Sequence, residues 1–270
     1  MIATIRLSVG DVGLAALLLC IGAGVSVAGG LGLERRLGMA ALRSVVQLLA
    51  LGAVLAWVFA REGPMVVAAL MLGMAVLAGV ESVRRTSLRV RGLYPAATAI
   101  LVCTSMLVTL YGLRLIIRAE PWWSPRYAIP MLGMVLGNTL TGISVGLQSV
   151  LGAFRQRQSE IELLLAAGHS PQHAAAGPVR DALRMGMLPI LNTMSVVGLI
   201  SIPGMMTGQI LGGEDPAQAA RYQMFILFLI GGNVSLGTMG VVVAARRLMF
   251  DGRGRLRVDR LSDQQARTKQ

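Results

Sequence analysis

Apolar residues run along this chain in blocks of about 20, separated by short polar joints. Blocks of that length match the hydrocarbon core of a bilayer, and they lack the two-residue alternation of a membrane β-barrel. Seven blocks can be drawn, at 11–33, 40–60, 64–83, 94–117, 127–150, 183–204 and 222–245. The expected fold is therefore all-α, a polytopic transmembrane helical bundle of about seven spans. The weakest joins are the Arg61-Glu62-Gly63 turn and the segment after Pro203. Residues 1–250 read as a single transmembrane domain with a polar loop at about 151–182. Residues 251–270 read as a basic tail that frays or lies along anionic lipid.

One stretch breaks the pattern. Residues 155–178, RQRQSEIELLLAAGHSPQHAAAGP, are charged and carry both histidines of the chain, His169 and His173. Ile161, Leu164 and Leu165 fall on one face at helical spacing, whereas Gln158, Glu160 and Glu162 fall elsewhere, so the stretch predicts an amphipathic helix. Gly168 and then Pro171 end it. A helix lying on the membrane surface favours Lys and Arg on its polar face. Two glutamates fit a basic protein partner better.

Composition agrees with the membrane reading. Hydrophobic residues make up 54% of the 270, charged residues only 14%, and the mean hydropathy is +0.67. A soluble domain of this size carries about a quarter charged residues. The formal net charge of +12 would point to nucleic acid in a soluble protein. Here it reads as topology, because basic residues collect in cytoplasmic loops. Numbering the joints alternately puts Arg6, Arg61, Arg114, Arg118, Arg126 and Arg221 on one side. The larger set lies on the other, including Arg35, Arg36, Arg84, Arg85, Arg155, Arg180, Arg246, Arg267 and Lys269. The N-terminus is then expected outside and the C-terminus in the cytoplasm. Trp57, Trp122 and Trp123 fall near the outer interface, as an aromatic belt does. Cys20 and Cys103 lie inside spans, form no CxxC, and read as small core residues.

Candidate chemistry is sparse. The only lysine is Lys269, so no GxxxxGK[ST] phosphate loop exists, and neither HExxH nor GxSxG occurs. No catalytic residues are expected, and the chain is not read as an enzyme. Glu81 is the one carboxylate well inside a span, a turn from Arg84 and Arg85; it reads as an interfacial ion pair or as a cation contact at the inner mouth. In the fifth span Gly133/Gly137 and Gly142/Gly146 have GxxxG spacing, which favours close helix packing. Asn138 and Thr141 serve either packing or path lining. In the sixth, Pro189 and Pro203 kink or end helices, and such broken backbone is tolerated only beside protein or a watery cavity. Asn192, Met205, Met206 and Gln209 surround these breaks. Thioethers are soft metal ligands, but Met is also the usual core filler, and no metal-ligand set is assigned.

Glu162 followed six residues later by Gly168 resembles the EAA-type cytoplasmic loop of ABC transporter permeases. GMVLGNTLTGISVGL at 133–147, EIELLLAAG at 160–168, LPILNTMSVVGLISIPGMMTGQILGG at 188–213 and RYQMFILFLI at 221–230 together resemble the iron-export ABC permeases of the FetB type, related to plant aluminium-tolerance permeases. The resemblance implies a multi-pass permease of the bacterial cytoplasmic membrane, exporting metal ions such as iron. It implies a homodimer working with separate ATPase subunits. ATP and Mg would be bound in those partners and no cofactor in this chain. It makes Glu160, Ile161, Glu162, Leu165 and Gly168 the ATPase-coupling residues. Glu81, Asn138, Thr141, Asn192, Met205, Met206 and Gln209 are the substrate-path candidates. The alternatives are a stand-alone carrier driven by an ion gradient through Glu81, and a non-transporting membrane interaction protein.

The charge pattern makes a test of orientation. With Cys20 and Cys103 replaced by Ala, an impermeant thiol reagent on intact cells should label Glu120→Cys and leave Asp259→Cys unlabelled until the membrane is opened. The opposite labelling would invert the topology.

Overall fold

The structure is a computed structural model that describes residues 8–61 and 63–263. Arg6, Glu62, Arg267 and Lys269 lie outside the described residues. The helices are α1 (Val9–Ala28), α2 (Glu34–Arg61), α3 (Pro64–Arg84), α4 (Leu93–Tyr111), α5 (Pro125–Gln156), α6 (Gln158–Ala166), α7 (Pro171–Ala174), α8 (Ala176–Val196), α9 (Gly204–Leu211) and α10 (Pro216–Met249). A π-helical turn, Gly112–Ile117, extends α4. Two short strands, β1 (Leu88–Val90) and β2 (Leu261–Asp263), pair antiparallel. The chain is thus an all-α polytopic membrane bundle.

Six helices are long and apolar enough to cross a membrane: α1, α2, α3, α4 with its π-helical turn, α5 and α10. The predicted span at 183–204 is not one of them. Its helix α8 starts earlier, at Ala176, takes in Arg180, Asp181 and Arg184, and stops at Val196. A hydrogen-bonded turn at 198–200 follows, closed by the Gly198 N–H donating to the Ser201 carbonyl, and α9 begins after Pro203. Gly198 makes the break possible, since its φ of +81° is a conformation that other residues rarely adopt.

Helix directions follow from the closest contacts. Gly142 on α5 meets Gly186 on α8, and Gly146 meets Ala182, so α5 and α8 are antiparallel. Gly142 meets Val234 and Thr238, and Gly146 meets Val242, so α10 runs parallel to α5. By Gln209 the chain has reached Arg126 and Tyr127 at the start of α5. The segment after Pro203 therefore carries on across the bundle, and α8, the break and α9 make a seventh, broken crossing.

Glycine sets the spacing at these contacts. A Cβ on Gly186 would lie 2.6 Å from Thr238 Cγ2 and 2.8 Å from the Gly142 carbonyl oxygen. A Cβ on Gly79 would lie 2.6 Å from Thr98 Cα, which brings α3 against α4. Of the two GxxxG pairs, Gly142 and Gly146 are packing residues. Gly137 has open space beside it. Polar bonds reinforce the contacts. The buried Asn233 donates to Ser105 Oγ (3.0 Å) and Thr139 Oγ1 (2.7 Å), tying α10 to α4 and α5. Ser144 donates to the Ser82 carbonyl at 2.9 Å, tying α5 to α3.

α1 and α2 form an arm that stands off this bundle. Among the described residues, only Ser26 on α1 and Val58 on α2 are buried. Cys20 and Cys103 are exposed, contrary to the core reading. An outward face in a bilayer is as apolar as a core face, so hydropathy does not separate the two.

The tail differs from expectation as well, since residues 251–263 fold back. The Arg255 and Arg253 backbone N–H groups donate to Asp251 Oδ1, both at 2.9 Å, and Arg255 Nε donates to Oδ2. These bonds, the Arg255 backbone bond foremost, hold the Asp251 carboxyl below the usual carboxylate range. Leu256 is buried, the Gly254 backbone comes close to Pro171 of α7, and β2 pairs with β1 in the α3–α4 loop.

Gly186→Val should drive α8 off α5 and α10. Overpacking of this kind costs about 1–3 kcal/mol, and thermal-aggregation curves in detergent should shift down accordingly. Gly137→Ala should leave them unchanged. An unshifted Gly186→Val curve would contradict the contact.

Candidate functional site

Two features stand out, a pair of cavities beside the broken crossing and an exposed helix at the other end of α5. The first cavity, of about 360 Å³, opens at the end where α5 and α10 begin. Arg126, Tyr127, Pro130, Met131 and Met134 of α5 line it, with Met205 and Gln209 of α9, Glu214, and Tyr222 and Ile226 of α10. The second, of about 260 Å³, lies deeper. Its wall includes Met134 and Asn138, Ile190 and Thr193, the break from Val197 through Ser201 to Gly204, and Gln223 and Ile230. Met134, Met205 and Ile226 line both, so the two chambers meet there.

The broken helix creates this space. A helix continuing past Val196 would fill the volume between α5 and α10. The turn at 198–200 leaves it open, and Gly204 and Met205 re-enter as a short helix on its far side. The break also turns apolar side chains outward: Leu199 is 88% exposed and Ile200 83%.

The path candidates separate in space. Asn138, Met205 and Gln209 line the chambers. Asn138 donates to the Met134 carbonyl at 2.9 Å. Thr141 donates to the Gly137 carbonyl at 3.1 Å and lines neither chamber. Asn192 is exposed on the outer face of α8, and Met206 lies beside Met205 but outside both linings. Glu81 sits at the far end of α3, 3.5 Å from Arg85, and lines neither chamber. The sequence reading missed Met134, Thr193 and Gln223. Gln223 had a signal, being an amide in an apolar helix; it is only 8% exposed, and its Oε1 is buried with no hydrogen-bond partner. Among the described residues no group of three or more His, Cys, Asp or Glu is placed to hold a metal ion.

The second feature is α6 with α7. Ile161 is buried, Leu164 and Leu165 are half-buried, and Glu160, Glu162 and Leu163 face outward, Leu163 at 71% exposed. Gln158 donates to Glu162 at 2.7 Å. Gly168, with φ +88°, closes the helix: its N–H donates to the Leu165 carbonyl and that of His169 to the Leu164 carbonyl. His169 and His173 are exposed with rings stacked 4.6 Å apart, and His173 belongs to α7 instead of a loop. Arg157 and Asp181, 3.4 Å apart, span the start of α6 and the start of α8. The pair is half exposed and contributes little by itself. The buried Ile161 and Ala174 hold the surface unit to the bundle.

Comparison with known proteins gives these positions a context. The profile described as "Uncharacterised protein family (UPF0014)" matches residues 9–250. The UPF0014 membrane protein slr1647 of Synechocystis is 36% identical over 222 residues, covering 82% of this chain and 86% of that protein. Protein ALUMINUM SENSITIVE 3 of Arabidopsis thaliana is 32% identical over 209 residues, 77% of this chain and 75% of that protein. The probable iron export permease protein FetB of Escherichia coli is 26% identical over 231 residues, 86% of this chain and 88% of that protein. No solved structure matches.

Proposed function

Because the chain belongs to the UPF0014 membrane protein family, we propose that it is the membrane subunit of an ABC transporter that exports metal ions, iron being the cargo named for one relative. ATP is hydrolysed in a separate cytoplasmic subunit, and the face bearing α6 is the cytoplasmic one. The observation that carries the proposal is the α6–α7 unit. Glu160, Glu162 and Leu163 offer an exposed acidic and apolar surface, while Ile161 is buried, and the unit stands in the chain between α5 and α8. Those two helices line the inner chamber. A push on α6 is thereby delivered to the walls of the path.

A second copy of the chain completes the membrane part. Irregular backbone at membrane depth is tolerated only when protein or a watery cavity covers it. The break at 197–203 lies beside Met134 and Asn138, near the middle of α5, yet Leu199 and Ile200 point away from their own bundle. A twin break facing this one would cover both. The gradient-driven carrier gains no support, since Glu81 is paired with Arg85 and lies apart from the chambers.

Two tests follow. Mild-detergent purification of the tagged chain from its native membrane should bring an ABC ATPase with it, and Glu162→Arg should lower that recovery by about tenfold or more, because a like charge enters a basic groove. Metal export persisting in Glu162→Arg with no ATPase bound would sink the proposal. In a chain freed of Cys20 and Cys103, Ile200→Cys should form a cross-linked dimer in native membranes, and Met65→Cys, exposed at the start of α3, should not. Monomer alone at Ile200→Cys would remove the facing-break arrangement.

A further inference from the structure

The chambers differ from an ordinary hard-cation site in what lines them. No carboxylate lines the inner chamber. The outer one has Glu214 at its wall, accompanied by Arg126. Hard cations of high charge are held by anionic oxygen, as in carboxylate cages. Here the polar groups along the passage are amides and hydroxyls: Asn138, Thr193 and Gln223 in the inner chamber, Gln209 and the tyrosines in the outer.

Two of those amides are unsatisfied, one in each chamber. Gln223 Oε1 and Gln209 Oε1 are buried with no hydrogen-bond partner, and Gln223 as a whole is 8% exposed. A buried acceptor without a donor is unfavourable, and inside a membrane bundle no bulk water relieves it. A cation satisfies such an oxygen directly. Between the two amides, where the chambers meet, stand Met134 and Met205. Thioether sulfur is a weak ligand for hard ions and a good one for soft ions. Met134 is carried on the continuous helix α5 and Met205 on the short helix α9 beyond the break. Movement of α9 against α5 would open or close the sulfur pair.

We infer that the two chambers form a passage, free of charged side chains in its inner chamber, for a thiophilic metal cation of low charge, which crosses the Met134–Met205 neck between the Gln223 and Gln209 carbonyls. The inference rests on the metal-export reading and narrows its cargo: a hard trivalent ion finds no anionic cage in the inner chamber. It concerns this chain alone, so it is tested without the ATPase. A failure here leaves the ATPase recovery experiment untouched, and the reverse holds too.

The probe is silver(I), which is thiophilic and does not change oxidation state under these conditions. The full chain with Cys20 and Cys103 replaced by Ala, since exposed thiols bind silver(I) tightly, is titrated with silver(I) in lipid nanodiscs and chloride-free buffer, and bound metal is examined by X-ray absorption at the silver edge. The expected result is a binding step with sulfur in the first shell. Met134→Leu and Met205→Leu each weaken it by about tenfold or more, the scale on which lost ligand support reduces metal affinity. Met239→Leu, on the exposed face of α10, leaves it unchanged. Excess aluminium(III) does not displace the silver. Leu is close to Met in volume and is usually tolerated in packed sites, and the absorption spectrum of the cysteine-free chain shows the first shell before any methionine is changed. A first shell of oxygen and nitrogen only, undiminished binding in the double Leu variant, or displacement by aluminium(III) would each overturn the inference.

Discussion

The close approach of α5, α8 and α10 at Gly142, Gly186 and Thr238 is the constraint on which the rest of this bundle depends. Lipid tails are as apolar as Leu, so helices in a bilayer gain little from burying apolar surface against one another. What holds them is van der Waals contact between backbones and a few buried polar bonds. With no Cβ on Gly142 or Gly186, a backbone oxygen of each helix comes within about 3 Å of the Cβ position on the other. Thr238 fills the remaining space with its methyl group. Three helices are fixed together along one half of their length.

The other half is built differently. Toward the ends where α5 and α10 begin, α8 stops and the chain crosses to α9 through the turn at 198–200. The packed half carries the Asn233, Ser105 and Thr139 bonds, the folded-back tail and the α6–α7 unit. The open half carries the two chambers. On the proposed reading, the packed half is a rigid lever through which displacement at α6 alters the chambers without unpacking the bundle. Transporters place binding sites at discontinuous helices for the same reason: freed backbone and small cavities provide polar groups at membrane depth.

Several parts of this arrangement were legible in the residues. The amphipathic helix α6 showed itself because Ile161, Leu164 and Leu165 recur at helical spacing among polar neighbours. Pro203 marked a break nearby, as proline removes a donor, whereas Gly198, whose positive φ makes the turn, was not singled out. The glycine spacing predicted close contact, but only Gly142 and Gly146 make it; Gly137 has the same spacing and faces open space. Cys20 and Cys103 were placed in the core and are exposed, and Asn192 and Met206 line neither chamber. One physical reason covers these differences. Along a membrane helix the lipid face, the packed face and the path face are all apolar, so periodicity carries little information about which is which.

The sequence by itself determined the class of structure, the distribution of basic and aromatic residues along it, the surface helix and the presence of a break near Pro203. Those follow from local physics: bilayer thickness, charge cost at membrane depth, helix periodicity and the backbone limits of Pro and Gly. The tertiary structure decided which helices run side by side and which glycines touch. It decided that α8, the break and α9 together make one crossing, that the tail pairs with the α3–α4 loop, and that Met134 and Met205 stand between two chambers. Those are relations between residues far apart in the chain. They are set by backbone contact and by a few buried hydrogen bonds, whose partners no local pattern names.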